Sequence, residues 1–409
     1  MKSVNTKRIQ SIDALRGFAL AGIVLVHMVE NYIGGPIPPE AAQGMSQGIL
    51  DDIVSGFLGF FFIGKFFALF SFLFGLSFFI QMDNAAKKNQ KFGGRFLWRL
   101  VILFVIGYTH HLFYRGDILT VYATFGMVLI PFYNMSSRWI LISAFVIFLG
   151  VFRFGIYAIN GADSIFSGIN LSPEIPEVAL YFETIKNGSI FEVFKLNAVQ
   201  GQLMKLDFQL GVFGRGYNTF GFFLLGLFAG KIGLFNNLHA FKSKMKKWLI
   251  RSSIILGGLV VTVLIITVIF FRSQNGDSSQ QAGLDSWGAM VGITLYDIVN
   301  ILLTLIIIFS FCLLFLKPKS QRFFLKFSSY GRMALSNYVL QSIIGTFLLY
   351  GWGLGYLGDL RNIYTFLIAI VIIILQILAS NFWLKHFHFG PLEWLWRSLT
   401  YFKRIPLKK

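Results

Sequence analysis

The most regular feature of the chain is a series of long apolar blocks separated by short polar segments. A run of about 18 or more apolar residues is long enough to cross roughly 30 Å of hydrocarbon as an α-helix. The blocks are continuous and lack the alternation of membrane strands, so they predict an all-α, polytopic transmembrane helix bundle rather than a barrel. About ten spans are predicted, at residues 12–32, 53–81, 96–113, 118–135, 139–158, 210–230, 248–271, 290–315, 329–350 and 363–384.

A long polar stretch divides the predicted bundle into two halves. Residues 1–158 are predicted to form an N-terminal five-helix half, and residues 210–409 a C-terminal five-helix half. Residues 159–209 are predicted to form an extracytoplasmic loop that connects the halves, with one or two short helices expected near 176–200. The segment GPLEWLWRSLTYF (390–402) is too short to span a membrane, and its aromatic residues predict an amphipathic helix in the interface.

Composition agrees with the apolar pattern. Of 409 residues, 56% are hydrophobic and only 13% are charged, which excludes an ordinary soluble domain. The net charge of +18 would indicate nucleic acid in a soluble protein, but here the basic residues lie in loops between apolar blocks. They predict membrane topology and contact with anionic lipid, with no nucleic-acid partner. The one cysteine, Cys312, excludes an internal disulfide and a thiolate metal cluster.

The loop charges predict an orientation. The first loop holds four acidic residues and no Lys or Arg: Glu30, Glu40, Asp51 and Asp52. The preceding and following polar segments are basic: Lys2, Lys7 and Arg8, then Lys87, Lys88, Lys91 and Arg95. This alternation continues along the chain, and by the positive-inside rule it places both termini in the cytoplasm.

The first predicted helix carries the densest set of polar residues at membrane depth. Asp13 and Arg16 are three residues apart and share a face, and His27 lies on the same face about 16 Å further along the axis. Polar side chains at this depth cost energy and commonly mark function. An interfacial Asp–Arg pair and a packed histidine are the structural alternative.

The second helix contains Lys65, which by rise per residue falls near the middle of the membrane. Snorkelling does not reach that far, so pairing inside the bundle is expected. Asp13 and Asp297 are candidate partners, and an anionic substrate group is the alternative.

The third helix ends in two adjacent histidines, His110 and His111, and Asp117 follows at the start of the fourth. A histidine beside a carboxylate is suited to general base catalysis, because the carboxylate orients the ring and stabilises imidazolium. Capping of the fourth helix is the structural alternative for Asp117. We expect one histidine at most to face the bundle and the other to be interfacial. No metal-binding spacing such as HExxH occurs, so no metal is expected.

The ninth predicted span places Asn337 and Gln341 one turn apart on the same face. Substrate binding and interhelical hydrogen bonding are equally good interpretations of this pair.

Five ordered blocks of the sequence resemble the bacterial YeiB family, whose C-terminal half is a domain of unknown function. They are RIQSIDALRGFALAGIVLVHM, GKFFALFSFLFGLSF, HHLFYRGDILTVYATFG, YGRMALSNYVLQS and GPLEWLWR. Together they extend over nearly the whole chain. The resemblance implies a multi-pass protein of the bacterial cytoplasmic (inner) membrane.

The N-terminal half is similar to two groups of membrane acyltransferases. They are the heparan-alpha-glucosaminide N-acetyltransferase family and the bacterial O-acyltransferases of cell-surface sugars. The latter have an arginine and, after ten residues, a histidine in the first helix, as Arg16 and His27 stand here. The chain departs from the former, because residues 28–52 contain no histidine to match the catalytic one.

This likeness implies transfer of an acyl group from a cytoplasmic donor, such as acetyl-CoA or another acyl-CoA, to an acceptor outside or in the envelope. His27, His110 and Asp117 are the expected catalytic residues. Expected substrate-binding residues are Asp13, Arg16, Lys65, His111, Asn337 and Gln341. Transport of a small solute or lipid through the polar interior is the alternative function, and a lipid-binding role is a third.

Overall fold

The computed structural model describes residues 9–88, 93–169, 174–273 and 285–409. These residues form helices and connecting turns, and their one strand-like contact is a single bridge between Phe387 and Lys408. The prediction of an all-α fold is therefore confirmed.

The N-terminal half contains eight helices among its described residues. They are α1 (Gln10–Val29), α2 (Pro39–Met45), α3 (Ile49–Phe61), α4 (Lys65–Ala86), α5 (Gly93–Phe113), α6 (Leu119–Leu129), α7 (Ser137–Phe148) and α8 (Val151–Asn160). The connecting region contains α9 (Pro176–Asn187), α10 (Ile190–Leu196) and α11 (Gln202–Leu210). The short helices expected near 176–200 are confirmed.

The C-terminal half contains a further eight helices in its described part. They are α12 (Arg215–Lys231), α13 (Leu238–Ser273), α14 (Trp287–Phe315), α15 (Pro318–Leu325), α16 (Ser328–Arg332), α17 (Ala334–Leu349), α18 (Asn362–His386) and α19 (Pro391–Tyr401). The segment predicted as a short amphipathic helix is α19, and its place in the membrane interface stays a prediction.

Several helices are long and apolar enough to cross a membrane. In the described chain they are Gln10–Val29, Ile49–Ala86, Gly93–Phe113, Trp287–Phe315 and Asn362–His386. The bent pair of α7 and α8, which meet at 43°, makes a sixth if it counts as one span. The chain is thus a membrane protein with several spans. Each of the ten predicted spans coincides with a helix or a pair of helices, but the number ten and the orientation stay predictions.

The second predicted span, 53–81, is wrong in one respect because it is not continuous. It consists of α3 and α4, which are separated by a turn at residues 62–64. Gly64 adopts a left-handed conformation with φ of 87°, which a residue without a Cβ enters at little cost. The apolar run Phe62–Ile63 continues across this turn and conceals it in the sequence.

Helices α4 and α12 pack closely against each other. Their approach depends on small residues, since a Cβ on Gly226 would lie 2.0 Å from the carbonyl oxygen of Phe72, and a Cβ on Gly75 would lie 2.0 Å from that of Phe223. Helices within a membrane approach this closely where glycine removes the side chain from the interface.

The two helices run parallel. Near their starts, the Arg215 guanidinium of α12 lies over the Phe67 ring of α4, and near their ends Gly230 lies against Phe79. This packing fixes the starting points of α4 and α12 beside each other.

The bundle has two ends, which we call the basic end and the far end. At the basic end α1 begins (Gln10), α4 ends (Ala86) and α5 begins (Gly93). The far end is the opposite one, where α1 ends (Val29) and α5 ends (Phe113).

Helix α19 lies at the basic end. The indole of Trp396 donates to the carbonyl oxygen of Arg99 in α5 at 2.8 Å. The Glu393 carboxylate accepts hydrogen bonds from the backbone N–H groups of Leu335 (2.7 Å) and Ser336 (3.1 Å), and so caps the first turn of α17. Two of the sequence blocks that resemble the YeiB family, YGRMALSNYVLQS and GPLEWLWR, therefore meet.

Candidate functional site

A cavity of about 1500 Å³ enters the bundle from the basic end. It extends along α4 from Asp83 to Phe70, which is roughly 20 Å at the rise of an α-helix. Its walls come from both halves of the chain, including α1, α4, α5, α6, α12, α17 and α19. A cavity of this size exceeds the usual range for small-molecule sites and suits a long ligand.

The mouth of the cavity is rich in positive charge. Seven basic side chains line it, against the three acidic ones of Asp13, Asp83 and Glu393. The basic residues are Arg16, Lys87, Lys88, Arg95, Arg99, Arg332 and Arg397. Such a surplus in a confined cleft attracts anionic ligands and favours groups such as phosphate, which guanidinium groups bind in bidentate fashion.

Asp13 and Arg16, both expected to bind substrate, line this mouth. The Nη1 atom of Arg16 lies 3.3 Å from Oδ1 of Asp13, and Nη2 donates to the hydroxyl of Ser77 in α4 at 2.9 Å. The shared face predicted for these two residues is confirmed.

The deep end of the cavity is lined by Ile118, Leu119, Tyr122 and Tyr338. The Tyr338 ring lies 5.0 Å from the ring of His110 and 6.3 Å from that of His27, measured between centroids. The floor of the cavity is therefore in contact with two of the expected catalytic histidines.

His110 and Asp117 form a buried dyad directly behind this floor, and neither residue lines the cavity itself. The Nδ1–H of His110 donates to Oδ1 of Asp117 at 2.8 Å, with both side chains almost fully buried. This bond fixes the tautomer and leaves Nε2 as the basic nitrogen, for which the described residues supply no hydrogen-bond partner. Asp117 also accepts from the backbone N–H of Thr120 at 2.9 Å, so it caps α6 as well as orienting His110.

Lys205, from α11, completes the surroundings of the dyad. Its ammonium group lies 3.9 Å from Oδ2 of Asp117 and donates to the hydroxyl of Thr120 at 2.9 Å. Burial acts to raise the pKa of Asp117, but the hydrogen bond from His110 and the charge of Lys205 outweigh it and lower that pKa to about 2. The carboxylate is thus held ionised beside His110.

His111 has a different role from His110. Its Nδ1 accepts from the Lys205 ammonium group at 3.0 Å, and its Nε2–H donates to the carbonyl oxygen of Asn197 at 2.9 Å. Both ring nitrogens are used, so His111 is a structural link to the connecting region. The expectation that one of the two histidines is interfacial is wrong, because His110 and His111 are 2% and 0% exposed. Helices α10 and α11 cover the face of α5 that would otherwise meet lipid.

His27 lies among aromatic side chains between the cavity floor and the far end. Its ring centroid is 5.4 Å from that of Tyr32 and 5.2 Å from that of Tyr114. Its Nδ1 atom is buried and has no hydrogen-bond partner in the described part of the protein. We call His27, Tyr32, Tyr114 and Tyr338 the aromatic layer, and it separates the cavity from the far end.

Lys65 pairs with neither of its two candidate carboxylates. Its ammonium group is buried and donates to the carbonyl oxygen of Gly59 at 2.8 Å. Asp297 forms an ion pair with Arg153 instead, and Asp13 contacts Arg16. The predicted pairing is wrong because Asp13 lies at the basic end, opposite to the start of α4, and because Asp297 already pairs with Arg153.

Asn337 and Gln341 do not line the cavity. The Asn337 amide donates to the hydroxyl of Ser380 at 2.9 Å and so joins α17 to α18. Both amide atoms of the fully buried Gln341 lack a hydrogen-bond partner among the described residues. The structure favours interhelical bonding for Asn337, and substrate binding by either residue stays a prediction.

Several residues at this site were not expected from the sequence. They are Lys205 and Thr120 beside the dyad, Tyr338 and Tyr122 at the floor, and Arg99 and Arg397 at the mouth. Tyr338 stands within the block YGRMALSNYVLQS, which could have indicated it. Lys205 lies in the connecting region, where no periodicity in the sequence relates it to His111 or Asp117.

A family model matches the C-terminal part of the chain. It is described as "Protein of unknown function (DUF418)" and covers residues 229–403. The match contains α16, α17 and α19, and thus supplies Arg332, Tyr338 and Arg397 to the cavity.

Three relatives are similar to the chain. An uncharacterized 39.9 kDa protein in the amylase 3' region of Bacillus acidopullulyticus is 28% identical over 98% of this chain and 96% of its own length. The uncharacterized protein YxaH of Bacillus subtilis (strain 168) is 27% identical over 100% and 98%. The uncharacterized protein YeiB of Escherichia coli (strain K12) is 44% identical over 20% of this chain and 22% of its own.

Proposed function

The chain belongs to the YeiB family of membrane proteins, and from that premise we propose that it transfers an acyl group from a thioester donor to a nucleophilic acceptor. The observation that carries the proposal is the contact between Tyr338, which lines the floor of the basic-mouthed cavity, and His110 of the His110–Asp117 dyad. The donor class is acyl-CoA, of which acetyl-CoA is the simplest member. Its phosphates would lie at the mouth, and its thioester arm would reach the floor.

The orientation of the donor follows from charge. The basic residues at the mouth would hold the anionic nucleotide part, and the deep end is apolar apart from the hydroxyl groups of Tyr122 and Tyr338. The positive-inside rule assigns this end to the cytoplasm, where acyl-CoA is available. The acceptor would approach the dyad from the far end, after the aromatic layer has moved aside.

The chemistry assigned to the dyad is general base catalysis. The Nε2 atom of His110 removes the proton from a hydroxyl or amino group of the acceptor as that group attacks the thioester carbonyl carbon. The new bond to carbon forms, the carbon–sulfur bond breaks, and the thiolate leaving group takes the proton from the imidazolium. Asp117 remains ionised throughout and stabilises the imidazolium.

The experiment that tests this function uses purified full-length protein in liposomes with isotope-labelled acetyl-CoA and an extract of bacterial envelope. Mass spectrometry then identifies any labelled product. The proposal predicts an acylated envelope molecule together with free CoA thiol. Accumulation of an unchanged solute in the liposomes, with no labelled product, would contradict acyl transfer and favour transport.

A further inference from the structure

The helix break at residues 62–64 places a helix N-terminus inside an apolar segment. Ile49–Ala86 is 38 residues long, more than one span requires, and its second helix begins at Lys65. The N–H groups of Lys65 and Phe66 donate to the carbonyl oxygen of Phe62 at 3.0 and 3.2 Å, so α4 contributes the positive end of its dipole rather than these two N–H groups. Such interrupted helices occur at membrane depth where they face a polar site or are buried in protein.

Helix α12 repeats this arrangement beside α4. It also begins with a cation, Arg215, and it runs parallel to α4 at close approach. The Arg215 guanidinium lies 3.5 Å from the centre of the Phe67 ring, within one turn of Lys65. The charges of Lys65 and Arg215 are close enough to repel each other. Two helix N-termini and two cations therefore meet in one place.

The described residues near this place do not neutralise both cations. Asp297 faces Arg215, but it already forms an ion pair with Arg153, which also donates to the hydroxyl of Thr294 at 2.7 Å. Glu30 interacts with Arg215 electrostatically, yet the two do not form an ion pair within 4.0 Å in the described structure. Because Arg153 pairs with Asp297, only Glu30 of these two carboxylates remains against Lys65 and Arg215, and positive charge is in surplus.

A buried polar atom without a partner lies at the same point. Asn300 is 5% exposed, and its amide donates to the carbonyl oxygen of Tyr296 at 2.9 Å. Its Oδ1 atom has no hydrogen-bond partner within the described ranges. That atom lies 2.7 Å from the position that a Cβ on Gly64 would take, directly before the start of α4. An unpaired buried acceptor costs free energy unless a ligand donor satisfies it.

We propose that the N-termini of α4 and α12 form a binding site for an oxyanion, a phosphate or carboxylate group. Lys65 and Arg215 supply its positive charge, and Asn300 accepts a hydrogen bond from an adjacent hydroxyl of the ligand. The site is separate from the basic mouth. It lies behind Tyr122, which lines the cavity floor and donates to the carbonyl oxygen of Phe67 at 3.2 Å.

The role of this site depends on the proposed function, whereas the binding does not. If acyl transfer occurs, the site names the acceptor class: a molecule that carries a phosphate or carboxylate near the nucleophile. The site would hold that anion on the far side of Tyr122 from the donor.

Thermal unfolding in nanodiscs of neutral phosphatidylcholine tests the site, with inorganic phosphate as the probe. A ligand that binds only the folded protein raises Tm with its concentration. We expect phosphate to raise Tm in the wild type, partly through the basic mouth, and Lys65→Met or Arg215→Met to reduce that rise. Lys65→Arg should keep the full rise. Lys246→Met and Lys247→Met, exposed in α13 and away from both sites, are matched controls and should also keep it.

The outcomes separate clearly. If the phosphate-dependent rise is undiminished in Lys65→Met and Arg215→Met, the site does not exist. Should the methionine variants fail to fold, loss of the rise in Asn300→Leu with retention in Lys65→Arg supports the site, and retention in both overturns it.

A second arm distinguishes a lipid headgroup from a soluble anion. Nanodiscs with phosphatidylglycerol, without free phosphate, should raise Tm through the same two cations if a lipid headgroup binds. If only inorganic phosphate does so, the ligand is soluble, and either result supports the site. Acyl-CoA turnover is not part of this readout, so an absence of transfer would overturn the proposed function and leave the anion site standing.

Discussion

The ammonium group of Lys205 lies 3.9 Å from Oδ2 of Asp117. The two residues belong to different parts of the chain, since Lys205 comes from the region that connects the two halves and Asp117 from the turn before α6. The connecting region therefore contributes directly to the surroundings of the dyad, and the charge of Lys205 helps to keep Asp117 ionised. Removal of the Lys205 charge should therefore change the electrostatic environment of the dyad.

Lys205 gives the protein a predicted dependence of stability on alkaline pH. Burial lowers the pKa of Lys205 from 10.5 to about 8, and the charge of Asp117 opposes this shift. Between these two values the unfolded chain binds more protons than the folded one, so folding becomes more favourable as pH rises. Between pH 7 and 10, the free energy of unfolding of wild type should therefore rise, relative to that of Lys205→Met, by about 2 to 3 kcal/mol at most.

The measurement is the Tm of both proteins across that range in one detergent. Lys195→Met, on the neighbouring helix α10, is the control and should show no such trend. A constant difference in Tm between wild type and Lys205→Met would show that the Lys205 pKa is not lowered by folding.

The packing of α4 on α12 predicts a large effect from a single methyl group. A Cβ on Gly226 would meet the backbone of Phe72, which cannot move aside without shifting α4. Gly226→Ala should therefore destabilise the protein by about 1 to 3 kcal/mol or more. Gly258→Ala in α13, where the added Cβ meets no atom within 4 Å, should be neutral or slightly stabilising. Equal Tm values for the two variants would contradict the close contact.

The cap of α17 by Glu393 predicts that α19 stabilises the bundle. Glu393→Ala removes the acceptor of two backbone N–H groups and of the Ser336 hydroxyl. The expected loss is about 1 to 3 kcal/mol, seen as a lower Tm. Glu177→Ala, an exposed first-turn residue of α9, should change Tm very little. A Glu393→Ala protein as stable as wild type would show that the cap is dispensable.

The predicted orientation can be tested by labelling single cysteines in whole cells. In a Cys312→Ala background, Gln47→Cys is placed in the exposed segment at the far end and Lys88→Cys at the basic end. A membrane-impermeant maleimide should label Gln47→Cys in intact cells and Lys88→Cys only after permeabilisation. The reverse pattern would invert the orientation, and the Cys312→Ala parent should remain unlabelled.

Much of the fold was predictable because helix length and apolarity are local properties of the sequence. The break before Lys65 was not, since the apolar residues around it continue the pattern and only Gly64 marks the turn. The burial of both His110 and His111 was also unpredictable, because it depends on the packing of α10 and α11 against α5.

The site was predictable only where its residues are close in sequence. His110 and Asp117 are seven residues apart, and the pairing of a histidine with a carboxylate suggested their contact. The basic mouth combines Arg16, Arg99, Arg332 and Arg397 from four different helices. Their convergence is a product of tertiary packing, which no local pattern records. Pairing of Lys65 failed for the same reason, since its nearest acceptor is a backbone carbonyl.

The most direct test of the central claim is the turnover of labelled acetyl-CoA by wild type and His110→Gln in liposomes, with donor binding measured on the same preparations. The dyad predicts that turnover falls by about 100-fold or more while donor binding is unchanged. His239→Gln, an exposed histidine in α13, should behave as wild type. Equal turnover in wild type and His110→Gln would contradict the assignment of the dyad as the catalytic base.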